Sequence, residues 1–214
     1  MSGSEKRFAM TVCPDDALKA SQREVQRLLG QCLLRLQAYE LLIKTLVAQH
    51  EISGSAPDLE AVRAARGERV SRNTLGMLVR AFLGSYLVAG DGKTAPEPEL
   101  ASPEGLPSVS CRFWVELTEA DYAEAATDLR ELVQLRNTLV HQFVEQQDFG
   151  SLEGCHRAEE ALVAASDRIG ESYERLKGWA EDMRKTQEIL QSDEVREVVT
   201  NELMAALLGG DRRH

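Results

Sequence analysis

Aromatic side chains are scarce in this chain. Phe, Tyr and Trp together make 5% of its 214 residues, too few for the aromatic cross-strand pairs that stabilise many sheets. Leu, Ala, Glu and Arg are abundant instead, a balance that favours helices. Cysteine is sparse as well. Cys13, Cys32, Cys111 and Cys155 stand far apart, which excludes a CxxC zinc knuckle and argues against a disulfide-stapled secreted scaffold. No apolar run approaches the length of a membrane span, and Met1–Thr11 is polar and charged, unlike a signal peptide. A reducing cytoplasm and no membrane contact are the expectation. Cations are outnumbered: 25 Lys and Arg against 35 Asp and Glu leave a formal charge of −10. Phosphate affinity comes mainly from Lys and Arg, so nucleic acid would need a local basic surface. There is no phosphate-gripping Gly-rich loop and no HExxH or other metal spacing, so no cofactor and no metal are expected.

Hydrophobic residues make up 43% of the chain, enough for one good core or two small ones. Residues 1–14 read as a flexible N-terminal tail. From Asp16 to Gln49 a long amphipathic helix is expected, with Val25, Leu28, Leu29, Cys32, Leu36, Tyr39, Ile43, Leu46 and Val47 at helical spacing. Asp15 and Asp16 suit its start. Ser53-Gly54-Ser55-Ala56-Pro57 breaks it. Shorter helices follow, over Asp58–Gly67 and Asn73–Leu87, the second with Leu75, Leu78, Val79, Phe82 and Leu83 inward. Pro and Gly crowd residues 89–108 and mark a surface loop. Ser110–Leu117 alternates like a strand, and one short β-hairpin within 86–117, pairing it with Tyr86–Ala89, fits that pattern. Thr118-Glu119-Ala120-Asp121 resembles a capping box and opens a helix over Glu119–Gln147. After Gly150 and Ser151 a last long helix begins near Leu152, with Cys155, Ala158, Leu162, Ala165, Ile169, Leu176 and Met183 at near-heptad spacing. Ser192-Asp193 caps a terminal helix ending at Gly209-Gly210. The organisation expected is an all-α fold with a single domain over 15–209 and a frayed tail at 210–214.

One hexapeptide stands out: Arg136-Asn137-Thr138-Leu139-Val140-His141. Leu132, Val133, Leu139, Val140 and Phe143 surround Arg136 at helical spacing, so a permanent charge falls on the apolar stripe. Arginine is almost never buried unpaired, and an anion site is one reason to place it there. The bland alternative is half of an internal ion pair, just as a lone helical His is more often structural. At about 100° per residue, Asn137 and His141 share a face, whereas Arg136 and His141 stand about 140° apart on an ideal helix. Two copies meeting about a two-fold axis would bring them into one cleft.

Arg, a polar residue, a short spacer and His on a helix resemble the signature of the HEPN superfamily, in which four to six residues separate Arg from His and Asn or Asp often follows the Arg. Four residues separate Arg136 from His141, and Asn137 fills the polar position. Cys32–Gln37, Thr74-Leu75-Gly76, Leu83-Gly84-Ser85 and Gly178–Met183 are similar to a bacterial group in which such a helical region accompanies a LOTUS-type RNA-binding domain. The likeness covers most of residues 20–200, and no room is left for a LOTUS domain after residue 210. The resemblance implies an HEPN-type helical bundle that cleaves RNA as a homodimer without metal, as a toxin or antiviral effector. A ribose 2′-oxygen would attack phosphorus, leaving 2′,3′-cyclic phosphate and 5′-hydroxyl ends. His141 would be the general acid/base, Arg136 would stabilise the phosphorane and Asn137 would orient them. Some HEPN toxins carry, two residues after the His, a tyrosine that a nucleotidyltransferase antitoxin modifies. Phe143 stands there, so that control does not carry over.

Three other readings stay beside this one. The same fold would serve as a non-catalytic RNA- or protein-binding scaffold, or be the partner of an antitoxin or of a neighbouring-gene protein. Arg63, Arg66, Arg69, Arg72 and Arg80 form a basic stretch that would steer RNA, or else a solvated face paired with Glu60 and Glu68. Cys155-His156 has a nucleophile beside a base, but neighbours on a helix point apart.

Overall fold

The computed structural model describes residues 14–55, 59–90 and 108–190, together with Ser192, Glu197 and Asn201. Residues 1–13 of the expected N-terminal tail, most of the Pro/Gly loop, all but Glu197 and Asn201 of the helix expected after Ser192, and the frayed tail lie outside the described residues, whereas Pro14 opens α1. Helix dominates: α1 (Pro14–Gln49), α2 (Leu59–Ser71), α3 (Leu75–Ser85), α4 (Glu119–Asn137), α5 (Phe143–Gln146) and α6 (Leu152–Leu190). Among the described residues four short strands accompany them: β1 (Glu51–Ser55), β2 (Leu87–Ala89), β3 (Ser108–Arg112) and β4 (Val115–Leu117). No helix among the described residues is long and apolar enough to cross a membrane.

The chain divides into two compact units, Met1–Glu40 with Thr127–Ser172 and Leu41–Ala126 with Tyr173–His214. In the first, the apolar stripes of α1, α4 and α6 meet. Val25, Cys32, Leu36 and Tyr39 are buried with Leu129, Leu132, Leu162 and Ile169, each large side chain contributing about 1.5–3 kcal/mol by leaving water. Polar bonds fix the register: the Cys32 thiol donates to the Leu162 carbonyl at 3.4 Å, Arg35 reaches the Ser166 hydroxyl at 2.7 Å, and Arg168 pairs with Glu131. Both core cysteines are fully buried, as their place on the stripes predicts.

α6 starts on a built cap. The Ser151 hydroxyl donates to Asp148 at 2.6 Å and accepts the Gly154 N–H at 3.1 Å, while Asp148 also accepts the Gly150 N–H. These bonds hold the Asp148 carboxyl below its usual range. Gly154 is required here: a Cβ would lie 1.9 Å from the Asp148 carbonyl oxygen.

In the second unit, Leu75, Leu78, Val79, Phe82 and Leu83 of α3 are all buried. Phe82 stacks on Tyr86 at 4.8 Å and tilts against Trp179 at 5.7 Å, and the Tyr86 hydroxyl donates to the Trp179 carbonyl at 3.0 Å. The strands depart from the expected hairpin. β2 pairs with β4 in parallel, Leu87 opposite Val115, whereas a hairpin is antiparallel. β3 pairs instead with β1, antiparallel, Glu51 opposite Arg112. The Ser-Gly-Ser stretch that reads as a helix break is therefore also a strand.

α4 is capped by Thr118. Its hydroxyl oxygen accepts the Asp121 N–H at 3.2 Å and donates to the Asp121 carboxylate at 2.7 Å. This is half of the expected capping box, because the carboxylate takes the hydroxyl rather than the Thr118 backbone N–H.

Candidate functional site

The hexapeptide does not run as a plain α-helix. Between α4 and α5, Thr138–Gln142 forms a π-helical turn, closed by the Phe143 N–H donating to the Thr138 carbonyl. The distortion falls on Gln142, at φ −123° and ψ −17°. One residue more than an α-turn is accommodated, so residues five apart become neighbours. Arg136 Nη1 reaches His141 Nε2 at 3.4 Å and Asn137 Oδ1 at 3.4 Å. Both contacts are at the long end of hydrogen bonding.

The segment thus departs from the ideal helix on which Arg136 and His141 stand apart. The separation of about 140° assumed α geometry throughout. The segment is not α-helical throughout, and Arg136, Asn137 and His141 come within reach of one another in one chain. The expected burial of Arg136 is also modified. Leu132, Leu139 and Phe143 are buried, but Arg136 and Asn137 are half-buried, His141 is exposed and Val140 is 44% exposed. The stripe is narrower than the spacing implied, and the charge sits at its edge. For Arg136 to donate, Nε2 must offer its lone pair, which puts the proton of a neutral ring on Nδ1. The trio is thus a guanidinium fork, an amide and an open imidazole at a water-accessible place, a set suited to an anion and to moving a proton.

The basic stretch is dispersed. Arg66 is engaged, with Nη1 3.3 Å from Glu51 and Nε and Nη2 on the Val47 carbonyl. Arg72 pairs with Glu68, one of the two carboxylates expected. Arg63, Arg69 and Arg80 are exposed and make no ion pair among the described residues. All five belong to the second unit, the trio to the first. Cys155 is buried and His156 exposed, so the adjacent pair does point apart. Burial, then the carboxylates of Glu159 and Asp148, push the Cys155 thiol up, away from a nucleophilic thiolate. A groove of about 660 Å³ between α1 and α6 has Leu28, Val163 and Ala164 as its apolar lining, and none of its lining residues belongs to the trio.

Sequence reasoning missed one cluster. In the second unit, Glu51 accepts from Arg112 at 2.6 Å as well as from Arg66, beside the buried His50. Burial pushes the Glu51 carboxyl up. The Arg112 hydrogen bond and the two cationic charges outweigh it and hold the carboxyl below its usual value. The signal in the sequence is only a His-Glu pair at the end of a helix. Among the described residues no group of His, Cys, Asp and Glu is placed to hold a metal ion. No protein-family model, curated protein or solved structure matches the chain.

Proposed function

We propose that the chain is a metal-independent endoribonuclease of HEPN type that works as a homodimer, as a toxin or antiviral effector. The observation that carries this reading is the convergence of Arg136, Asn137 and His141 across the π-turn. In the free protein the guanidinium occupies His141 Nε2. A bound phosphodiester draws the fork onto its two non-bridging oxygens. Nε2 is then free to take the 2′-hydroxyl proton as that oxygen attacks phosphorus. Arg136 balances the negative charge of the phosphorane. The P–O5′ bond breaks, and the imidazolium returns its proton to the leaving 5′-oxygen. Cyclic phosphate and 5′-hydroxyl ends result. Exposed Val140 and Val144, at 44% and 69%, flank His141 and suit a contact with a second copy.

End-labelled RNA incubated with the purified protein in chelator tests the reading. Cleavage with cyclic-phosphate ends is expected, lost in Arg136→Ala and in His141→Ala. Unchanged cleavage in both variants overturns the assignment. The second reading, a scaffold that binds RNA or protein without cutting, is favoured by the −10 charge and by the pairing of Arg66 and Arg72 with carboxylates. It predicts binding with no scission at any metal or salt concentration.

A further inference from the structure

The corner where α1 meets β1 is closed by a histidine whose second ring nitrogen has no hydrogen-bond partner among the described residues. His50 is 2% exposed. Its Nδ1 lies 2.9 Å from the Val47 carbonyl, the same oxygen that Arg66 reaches. A carbonyl only accepts, so Nδ1 carries the ring proton. Nε2 is buried with no hydrogen-bond partner among the described residues. The backbone of His50 is equally committed. Its N–H donates to the Leu46 carbonyl at 2.9 Å, and its carbonyl accepts the Phe113 N–H at 2.6 Å. The backbone of one residue thus joins the last turn of α1 to Phe113, just past β3.

The groups facing this ring come from every side of the corner. α2 supplies the Arg66 cation, β1 the Glu51 carboxylate, and β3 the Arg112 cation bound to Glu51. Tyr86, just past α3, stands edge-on at 6.2 Å and 86°, and its phenol is itself raised by burial and by Asp182 of α6. Burial and Arg66 push the His50 imidazole below its ordinary value, against smaller opposing effects of the Val47 bond and Glu51.

We propose that His50 is an acid-operated latch: a proton arriving at Nε2 expels the imidazole from its pocket and opens the bond between the His50 carbonyl and the Phe113 N–H. The protonated ring would be a buried cation beside Arg66, with an N–H that nothing accepts. Glu51 does not neutralise it, because that carboxylate is already shared by two guanidinium groups. Outside the pocket the ring is solvated and holds the proton at the ordinary imidazole value. The released state therefore binds the proton first, and falling pH favours release.

Amide exchange of the full-length protein reads the latch at Phe113, whose N–H is bonded to the His50 carbonyl. After correction for intrinsic rates, opening is expected to rise toward about thirtyfold between pH 7.5 and pH 5, the ceiling set by an ordinary imidazole value near 6.5. Glu51 adds less than about 1.5-fold over that range, its ordinary value being 4.5. His50→Asn retains an N–H donor for the Val47 carbonyl and takes no proton, so its profile is expected to be flat. An acid response in His50→Asn equal to that of the wild type overturns the latch. Should that variant not fold, the His50 ring signal of the wild type decides by NMR. Titration in step with loss of Phe113 protection supports the latch, and titration near 6.5 with Phe113 still protected overturns it.

Discussion

Arg136 and His141 lie five residues apart, yet Nη1 of one is 3.4 Å from Nε2 of the other. The π-turn includes His141 and begins two residues after Arg136, whereas an ideal α-helix sets positions five apart about 140° from each other. Residues 138–142 are therefore a candidate positioning element for the trio.

Removal of the exposed Gln142 tests that role. The deletion shortens the turn by one residue and lets α4 run into α5 as continuous α-helix. Arg136 and His141 then part, while Leu132 and Leu139 keep their place in the core. On the proposed ribonuclease reading, RNA cleavage is expected to fall by about 10²–10⁴, the usual worth of a positioned general base, with helicity by circular dichroism unchanged. Cleavage at the wild-type rate by a folded deletion variant means the π-turn is not what assembles the site.

Glycines supply a matched pair of stability tests. At Gly154 a methyl group would meet the Asp148 backbone carbonyl at 1.9 Å, and backbone cannot swing aside as a side chain does. Gly154→Ala is expected to lose about 2–3 kcal/mol. Gly178, also in α6, has nothing within 4 Å of an added Cβ, so Gly178→Ala is expected to gain about 0.5–1 kcal/mol from helix propensity. Urea denaturation midpoints should move in opposite directions. Equal shifts would mean that the Asp148 turn yields.

The helices were legible because their signal repeats. Val25, Cys32, Leu36, Tyr39 and Ile43 hold one face of α1 over many turns, and all are buried. Leu28 and Leu29, in the same helix, are only half-buried, which local periodicity does not reveal. β1 escaped because Ser53-Gly54-Ser55 has no strand propensity. Its pairing comes from β3, some sixty residues later, and from the Glu51–Arg112 bond across the ladder. Tyr86–Ala89 and Ser110–Leu117 do contribute a strand pair, but the parallel sense of Leu87–Ala89 against Val115–Leu117 depends on how the chain returns. The π-turn left no trace either. Leu132, Leu139 and Phe143 keep helical intervals whether or not one turn holds an extra residue.

Glu51 is the hub of its corner, with Arg66 and Arg112 both on it and side chains 18–23% exposed. Glu51→Gln leaves two partly desolvated cations with a neutral acceptor. A loss of about 1–3 kcal/mol is expected, less than for a fully buried pair because water still reaches the site. The carboxyl ionises below its ordinary 4.5 in the folded state. Its stabilisation is therefore complete above about pH 4.5 and fades as pH falls through the lower folded value. Wild type minus Glu51→Gln, followed by urea denaturation from pH 7 to pH 3, should shrink toward zero at the acid end. A difference that stays constant with pH would assign the effect to packing instead.

Tyr86 gives the opposite limb of the pH curve. Its ring is 1% exposed, and burial, reinforced by Asp182, pushes the phenol from 10 up to about 12. The unfolded chain releases this proton first, so the neutral phenol's contribution is whole below about pH 10 and is lost as pH rises toward 12. The ceiling on that loss is about 2–3 kcal/mol. Tyr86→Phe removes the titration and also leaves the Trp179 carbonyl without its donor, at about 1 kcal/mol at neutral pH. Denaturation series at pH 7, 10 and 11.5 should therefore show the variant weaker at neutrality but less sensitive to alkali. Parallel alkaline curves for the two proteins would mean that the Tyr86 phenol ionises in the folded state as readily as in the unfolded one.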